Sequence, residues 1–218
     1  MQAMRTFKMG RRAATAIASV LLASSVWAAP EAQFQPAFEL FMQADSGNES
    51  AIDKSVEAFA VLLKAEPGNL VLMAYEGAAT SMRATTTMLP WKKMSYAEDG
   101  MAMLDKALAL LNASHDAVLQ HGVPAALEVR FVAANTFLAV PGFMNRGARG
   151  TKLLGEVLSS PLLDAASLGF RGNVWMKAAS VALNDKHLDE ARKYLNRVIQ
   201  ANAPQAEAAR AQLAKLPS

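Results

Sequence analysis

Helical periodicity, interrupted at intervals by helix breakers, is the feature that most constrains how this chain can fold. Apolar residues recur at helical spacing in almost every segment after residue 28, and no segment shows the sustained alternation typical of a strand. The breakers predict an all-α fold of about four helix pairs with a C-terminal capping helix. The expected pairs are 35–44 with 51–65, 70–85 with 96–111, 125–139 with 151–158, and 174–183 with 188–201, followed by a last helix over 205–216.

The first 28 residues have the layout of a secretory signal peptide. A basic segment precedes an apolar run over residues 13–23, and Val26 and Ala28 suit the last positions before a cleavage site. The run is shorter than the roughly 20 residues that cross a bilayer as a helix, so we expect no permanent membrane span. We expect cleavage after Ala28, export to a bacterial periplasm, and one repeat domain over residues 29–218.

Removal of this segment changes the charge balance. Four of the 22 Lys and Arg residues lie within it and all 19 acidic residues follow it, which leaves 18 basic against 19 acidic side chains. The sequence pI of about 9.2 therefore reflects mainly the leader, and nucleic acid is not an expected partner. The chain has no cysteine, so its stability must come from helix packing rather than disulfides.

The unit over residues 172–204 carries a repeat pattern of large and small residues at helical spacing. Its key positions are Trp175, Ala178, Ala179, Ala182, Ala191, Leu195 and Pro204. Small residues let the two helices of a unit approach closely, and large apolar ones fill the gap to the next unit. The unit resembles the tetratricopeptide repeat (TPR) family, which implies a TPR-like helical-pair solenoid that binds a protein or peptide. From Pro67 to Pro204, however, the repeat interval averages roughly 46 residues rather than 34.

Motifs for catalysis are missing from the sequence. It contains no cysteine nucleophile, no G-x-S-x-G, no glycine-rich phosphate loop and no H-E-x-x-H. We therefore expect a non-catalytic protein with no cofactor and no metal. His115, His121 and His187 are expected to be solvated in loops or at helix ends, and the methionines are expected mainly to fill the core.

Two arginines stand out because the helices that carry them are otherwise nearly uncharged. Arg83 and Arg130 must each face a groove or pair with an acid, since burying a lone cation is costly. Asp105 on the preceding helix is a candidate partner for Arg130, and Asn135 is expected to flank the same groove. Each arginine is thus either a structural ion pair or a contact for a ligand or partner.

Two segments between the helices of a pair share an order of apolar residue, proline, aromatic residue and basic residues. They are Met88–Met94 and Val140–Arg146. Equivalent turns of a helical-pair solenoid emerge on one edge, so the two segments are expected to lie together. The expected contact residues are Trp91, Lys92, Lys93, Phe143 and Arg146. Aromatic side chains beside cations suit an anionic peptide, a glycan polymer or lipid headgroups. Alternatively, the prolines only end long helices and the aromatic residues cover the core.

Three functions remain open at this point. The favoured one is an exported, non-catalytic scaffold or adaptor that binds a protein or peptide partner in the cell envelope. The second is a periplasmic carrier that holds a hydrophobic or lipid-like ligand in an apolar groove. Its lining would be Met73, Phe131, Phe137 and Met176. The least favoured is an enzyme that assembles its site from scattered acids. These would be Glu76, Asp105 and Glu128.

Overall fold

A computed structural model describes residues 30–117 and 119–217. Nine α-helices make up most of these residues and confirm the all-α class. They are α1 (Glu31–Asp45), α2 (Glu49–Ala65), α3 (Leu70–Thr86), α4 (Pro90–Leu110), α5 (Ala125–Ala139), α6 (Gly147–Ser159), α7 (Leu168–Asn184), α8 (Leu188–Gln200) and α9 (Ala206–Leu213). The expected signal peptide, residues 1–28, lies outside the described residues.

Each helix packs chiefly against its neighbours along the chain. Contacts join α1 with α2, α3 with α4, α5 with α6 and α7 with α8, while α9 packs on α8. This confirms adjacent helix pairs followed by a last helix. Helix α3 also contacts α1 and α5, two places along the chain, so it is packed against four other helices.

Helix α4 begins earlier than expected, at Pro90 instead of Tyr96. Proline is favoured at the first position of a helix because its fixed φ suits the helix and its missing N–H has no partner there. Residues 91–93 therefore form the first turn of α4 rather than part of a loop. Helix α7 also starts early, at Leu168, where the Ser167 hydroxyl accepts a hydrogen bond from a backbone N–H of the first turn.

A short β-hairpin separates α4 from α5. Strands β1 (Leu119–Gln120) and β2 (Val123–Pro124) pair antiparallel through a two-residue turn. The turn residues His121 and Gly122 both have positive φ, 39° and 77°, as a type I′ turn requires. Strands of two residues are too short to produce a periodic signal, so the sequence pattern missed them.

Aromatic rings from the first three helices form the N-terminal part of the core. The Phe59 and Tyr75 rings stack with centroids 5.1 Å apart, and Phe34 meets the edge of Tyr75 at 5.7 Å. A second buried cluster surrounds Trp175 and Leu195 and is built by α7, α8 and the segment around α9. In the part of the chain that the structure describes, no helix is both long enough and apolar enough to cross a membrane.

The backbones of α3 and α4 touch at a pair of glycines. A Cβ added to Gly77 would lie 2.8 Å from the Gly100 carbonyl oxygen. A Cβ added to Gly100 would overlap that of Gly77 and the Ser81 hydroxyl, and would lie 2.6 Å from the Ser81 amide nitrogen. Ser81 itself donates a hydrogen bond to the Gly77 carbonyl oxygen at 3.1 Å. Only glycine fits at this crossing, so the α3–α4 distance depends on it.

We expect Gly100→Ala to lower the free energy of unfolding by about 2–3 kcal/mol, because the new methyl group must push the two backbones apart. Urea unfolding followed by circular dichroism measures the change. The matched control is Gly155→Ala in α6, where an added Cβ meets nothing within 4 Å. The free energy of unfolding of that variant should rise by about 0.5–1 kcal/mol, because alanine has a higher helix propensity than glycine. Equal gains in the two variants would show that α3 and α4 are not in backbone contact.

Candidate functional site

The start of α4 and the residues just before it form an exposed apolar and basic patch, which we call the α4 patch. Met88 is 88% exposed and Trp91 is 67% exposed, and Leu89 and Met94 are also large exposed apolar side chains. Lys92 and Lys93 are exposed beside them. An aromatic residue that covered the core would be largely hidden, so Trp91 does not have that role.

The charges in the α4 patch do not stabilise α4. The N-cap residue Leu89 makes no side-chain capping bond, and the first turn contains no acidic residue. Lys92 and Lys93 lie close to the positive end of the helix dipole, which is unfavourable for a cation. Within the described ranges, neither lysine has a carboxylate within 4.0 Å. Both cations therefore remain available to an anionic group from outside.

The three arginines of the expected site are paired within the protein. Arg83 Nε lies 2.7 Å from Asp53 Oδ1, and Arg146 Nη1 lies 2.9 Å from Asp105 Oδ2. Arg130 Nε lies 3.6 Å from Glu156 Oε2 of α6.

The suggested pair of Arg130 with Asp105 is therefore wrong. Asp105 binds Arg149 at 2.7 Å in addition to Arg146, while Arg130 donates to the Ala126 carbonyl oxygen. Asn135 is half-buried on α5. Five residues turn a helix by about 140° beyond one full turn, so Asn135 does not flank the same groove as Arg130.

The second expected segment lies apart from the α4 patch. Phe143 is 69% exposed on a short 3₁₀ turn, and Arg146, the residue just before α6, extends to Asp105 and over the Phe137 ring. Asp105 follows Trp91 by fourteen positions, which is about 21 Å of helix. Arg146 is thus held at the far half of α4 and not beside Trp91.

The side chains expected to line an apolar groove are part of the packed interior. Met73, Phe131 and Phe137 are buried in the main core. Met176 is half-buried against the cluster around Trp175. These four residues belong to two separate clusters and do not line one ligand-sized space.

A buried hydrogen-bonded network, which the sequence analysis did not assemble, joins Tyr75, His121 and Glu128. Glu128 is fully buried, and its Oε1 accepts a hydrogen bond from the Tyr75 hydroxyl at 2.7 Å. The same oxygen lies 2.5 Å from His121 Nε2. The signal that could have found it is an acid in an apolar helix, since a buried carboxylate requires donors.

The hairpin turn and helix α1 place His121 against this carboxylate. The His121 ring stacks on Phe34 with centroids 5.1 Å apart and is tilted against Phe38 at 4.9 Å. Its side chain is 18% exposed, so His121 and His115, which is buried, are not the solvated histidines that were expected. His187 is exposed, as expected. The network ties the hairpin, α1, α3 and α5 together.

Burial perturbs the ionisation of these groups. Burial raises the pKa of Glu128 above 4.5, although its hydrogen bonds with His121 and Tyr75 act in the opposite direction. Burial alone would lower the pKa of His121, but the hydrogen bond and charge of Glu128 outweigh it and leave the pKa above 6.5. Burial, and then Glu128, raise the pKa of Tyr75 well above 10.0.

The charges of Asp45 at the end of α1 and Lys177 on α7 influence each other. Burial raises the pKa of Asp45 while the Lys177 charge lowers it, and burial lowers the pKa of Lys177 while Asp45 raises it. Asp45 also raises the pKa of Tyr75. The described residues contain no group of three or more His, Asp and Glu side chains with metal-binding geometry. The hydrogen bonds of Glu128 position the hairpin, α3 and α5 relative to one another.

We expect Glu128→Gln to move the pKa of His121 from above 6.5 to below it, because burial then outweighs the remaining influence of Glu31. NMR titration of the His121 ring protons measures this directly. An unchanged pKa would mean that His121 does not contact Glu128.

The same pair makes stability depend on pH. His121 has a raised pKa in the folded state, so it stabilises the fold below pH 6.5 and loses this contribution as pH rises through the folded-state value. The raised pKa of Glu128 acts in the same direction. The stability of the wild type relative to Glu128→Gln should therefore fall as pH rises past 6.5. Urea unfolding of both proteins across this range checks the sign.

Comparison with protein-family models, with curated proteins and with solved structures finds no match to this chain.

Proposed function

We propose that the protein is a non-catalytic, TPR-like adaptor, exported to the cell envelope, that binds an acidic segment of a partner protein through the α4 patch. Adjacent helix pairs support the repeat architecture, as does the pattern over residues 172–204. The layout of residues 1–28 supports periplasmic export.

The observation that carries the proposal is the exposure of Trp91 beside two lysines that form no ion pair with the described residues. Contiguous apolar groups at the surface of a soluble protein mark interaction sites. Tryptophan is enriched among the residues that dominate binding energy, because it buries a large area at a small cost in side-chain entropy. The patch gains nothing for the fold, since Lys92 and Lys93 oppose the helix dipole.

The chemistry of the patch specifies the occupant as an acidic peptide segment with apolar side chains. Carboxylates would pair with Lys92 and Lys93 and would also meet the positive end of α4, which lacks a side-chain cap. Apolar side chains of the same segment would cover Trp91 and Met88. Charge complementarity of this kind raises the association rate and aligns the partner.

The other two functions find less support in the contacts. A hydrophobic ligand would need the side chains that instead fill the core, Met73 and Phe137 among them. The acids considered for an enzyme are separate: Asp105 holds two arginines, and Glu128 lies in the buried network. We therefore propose a role in binding only.

Peptides selected from a displayed random library against the full chain should be acidic with apolar positions. Replacing Trp91 with Ala, or both Lys92 and Lys93 with Glu, should weaken their binding at least about tenfold, as expected for a central aromatic anchor and its charge partners. Titration by fluorescence anisotropy measures the affinity, and thermal melting should stay near that of the wild type because these side chains are exposed.

The controls are Leu110→Ala and Lys106→Glu, which change an exposed apolar and an exposed basic side chain farther along α4. Both should bind the selected peptides as the wild type does. Equal weakening in the controls and the patch variants would contradict a defined site. Binding of anionic vesicles in preference to any peptide would assign the patch to a membrane surface instead.

A further inference from the structure

We infer that the outer face of the α1–α2 pair is a self-association surface that binds a second copy of this chain. A groove of about 430 Å³ runs between the two helices. Its apolar lining is Pro36, Ala37, Leu40, Ala58, Val61 and Leu62. Val61 is 69% exposed although it is β-branched and apolar.

The position of this pair in the array leaves the groove open. Helices α1 and α2 pack on each other and on α3, which covers one side of the pair. At the other end of the array, α9 packs on α8. Stacked helix pairs need a polar outer face at each end, because an apolar end invites another unit to stack on it. Among the described residues, none covers the α1–α2 groove as α9 covers α8.

The charges at the groove are self-complementary. Lys54 and Glu57 both line it, one turn apart on α2. Neither has an opposite charge within 4.0 Å in residues 30–117 or 119–217. A two-fold axis across this part of α2 brings Lys54 of each copy within side-chain reach of Glu57 of the other. A two-fold interface uses the same patch on both copies, so a patch with one charge of each sign matches itself.

The size of the face sets the expected strength. Helix α2 has 17 residues, hence a length of about 25 Å, and two packed helices offer a face of roughly 500 Å². Two such faces give about 1,000 Å² in total, the lower limit for a specific interface. We therefore expect a weak, reversible dimer with an affinity in the micromolar range or weaker.

Sedimentation of the full chain over a concentration series tests this inference. The wild type should shift from monomer to dimer, and Val61→Asp should remain monomeric. Lys54→Glu and Glu57→Lys should each weaken self-association about tenfold or more, because each places like charges opposite one another. An equimolar mixture of these two variants should recover dimers, since every cross pair then has opposite signs. Lys106→Glu on α4 is the charge control and should behave as the wild type.

The absence of cysteine allows a second readout. Lys54→Cys and Glu57→Cys each introduce a single thiol, and an equimolar mixture of the two should form a mixed intermolecular disulfide on mild oxidation, because position 54 of one copy faces position 57 of the other. Leu110→Cys should not form one, and Val61→Cys reports separately on access to the groove. A chain that stays monomeric at millimolar concentration would overturn the inference. If the thiol introduced by Val61→Cys were in addition protected from a soluble reagent, another part of this chain would be the occupant. Dimers that are insensitive to both charge reversals would place the interface elsewhere. None of these three results affects the proposal that the α4 patch binds a peptide.

Discussion

The N-terminal half of the structure depends on the hydrogen bonds that compensate for the burial of one carboxylate. Glu128 lies fully buried in an apolar helix, and such a group is tolerated only when donors reach it. Tyr75 donates from α3, and His121 reaches it from the hairpin. His121 lies flat on the Phe34 ring, so the hydrogen bond also fixes where α1 packs. Three helices and a turn are thus positioned by one acid, which explains why so short a hairpin is ordered.

The fold class and the pairing of helices could be predicted because they follow from local signals. Periodicity gives the faces of each helix, and the breakers give its ends. The network could not be predicted, because Tyr75 and Glu128 are 53 positions apart and periodicity does not tell which faces meet. Two further features were not predicted: the pairing of Arg130 with Glu156 and the early start of α4 at Pro90. The first is a tertiary contact. The second is a helix start within an apolar segment that was interpreted as a loop.

The cations of the chain divide into two groups with different roles. Arg83, Arg130 and Arg146 each face an acid on another helix, where a planar guanidinium can join two elements. The lysines of the α4 patch face solvent, and no carboxylate of residues 30–117 or 119–217 lies within 4.0 Å of them. A dimer through α1 and α2 would carry two such patches, so a partner with two acidic segments would be held by both. Linked weak contacts of this kind reach affinities that neither contact has alone.

The glycine crossing of α3 and α4 has a consequence for how the chain reaches its folded state. Gly77 and Gly100 are only 23 positions apart and their backbones touch, so the α3–α4 helix pair forms from local contacts and closes a short loop. The low cost of closing this loop favours early pairing of α3 with α4, and α2 and α5, the neighbours in sequence, both contact this pair.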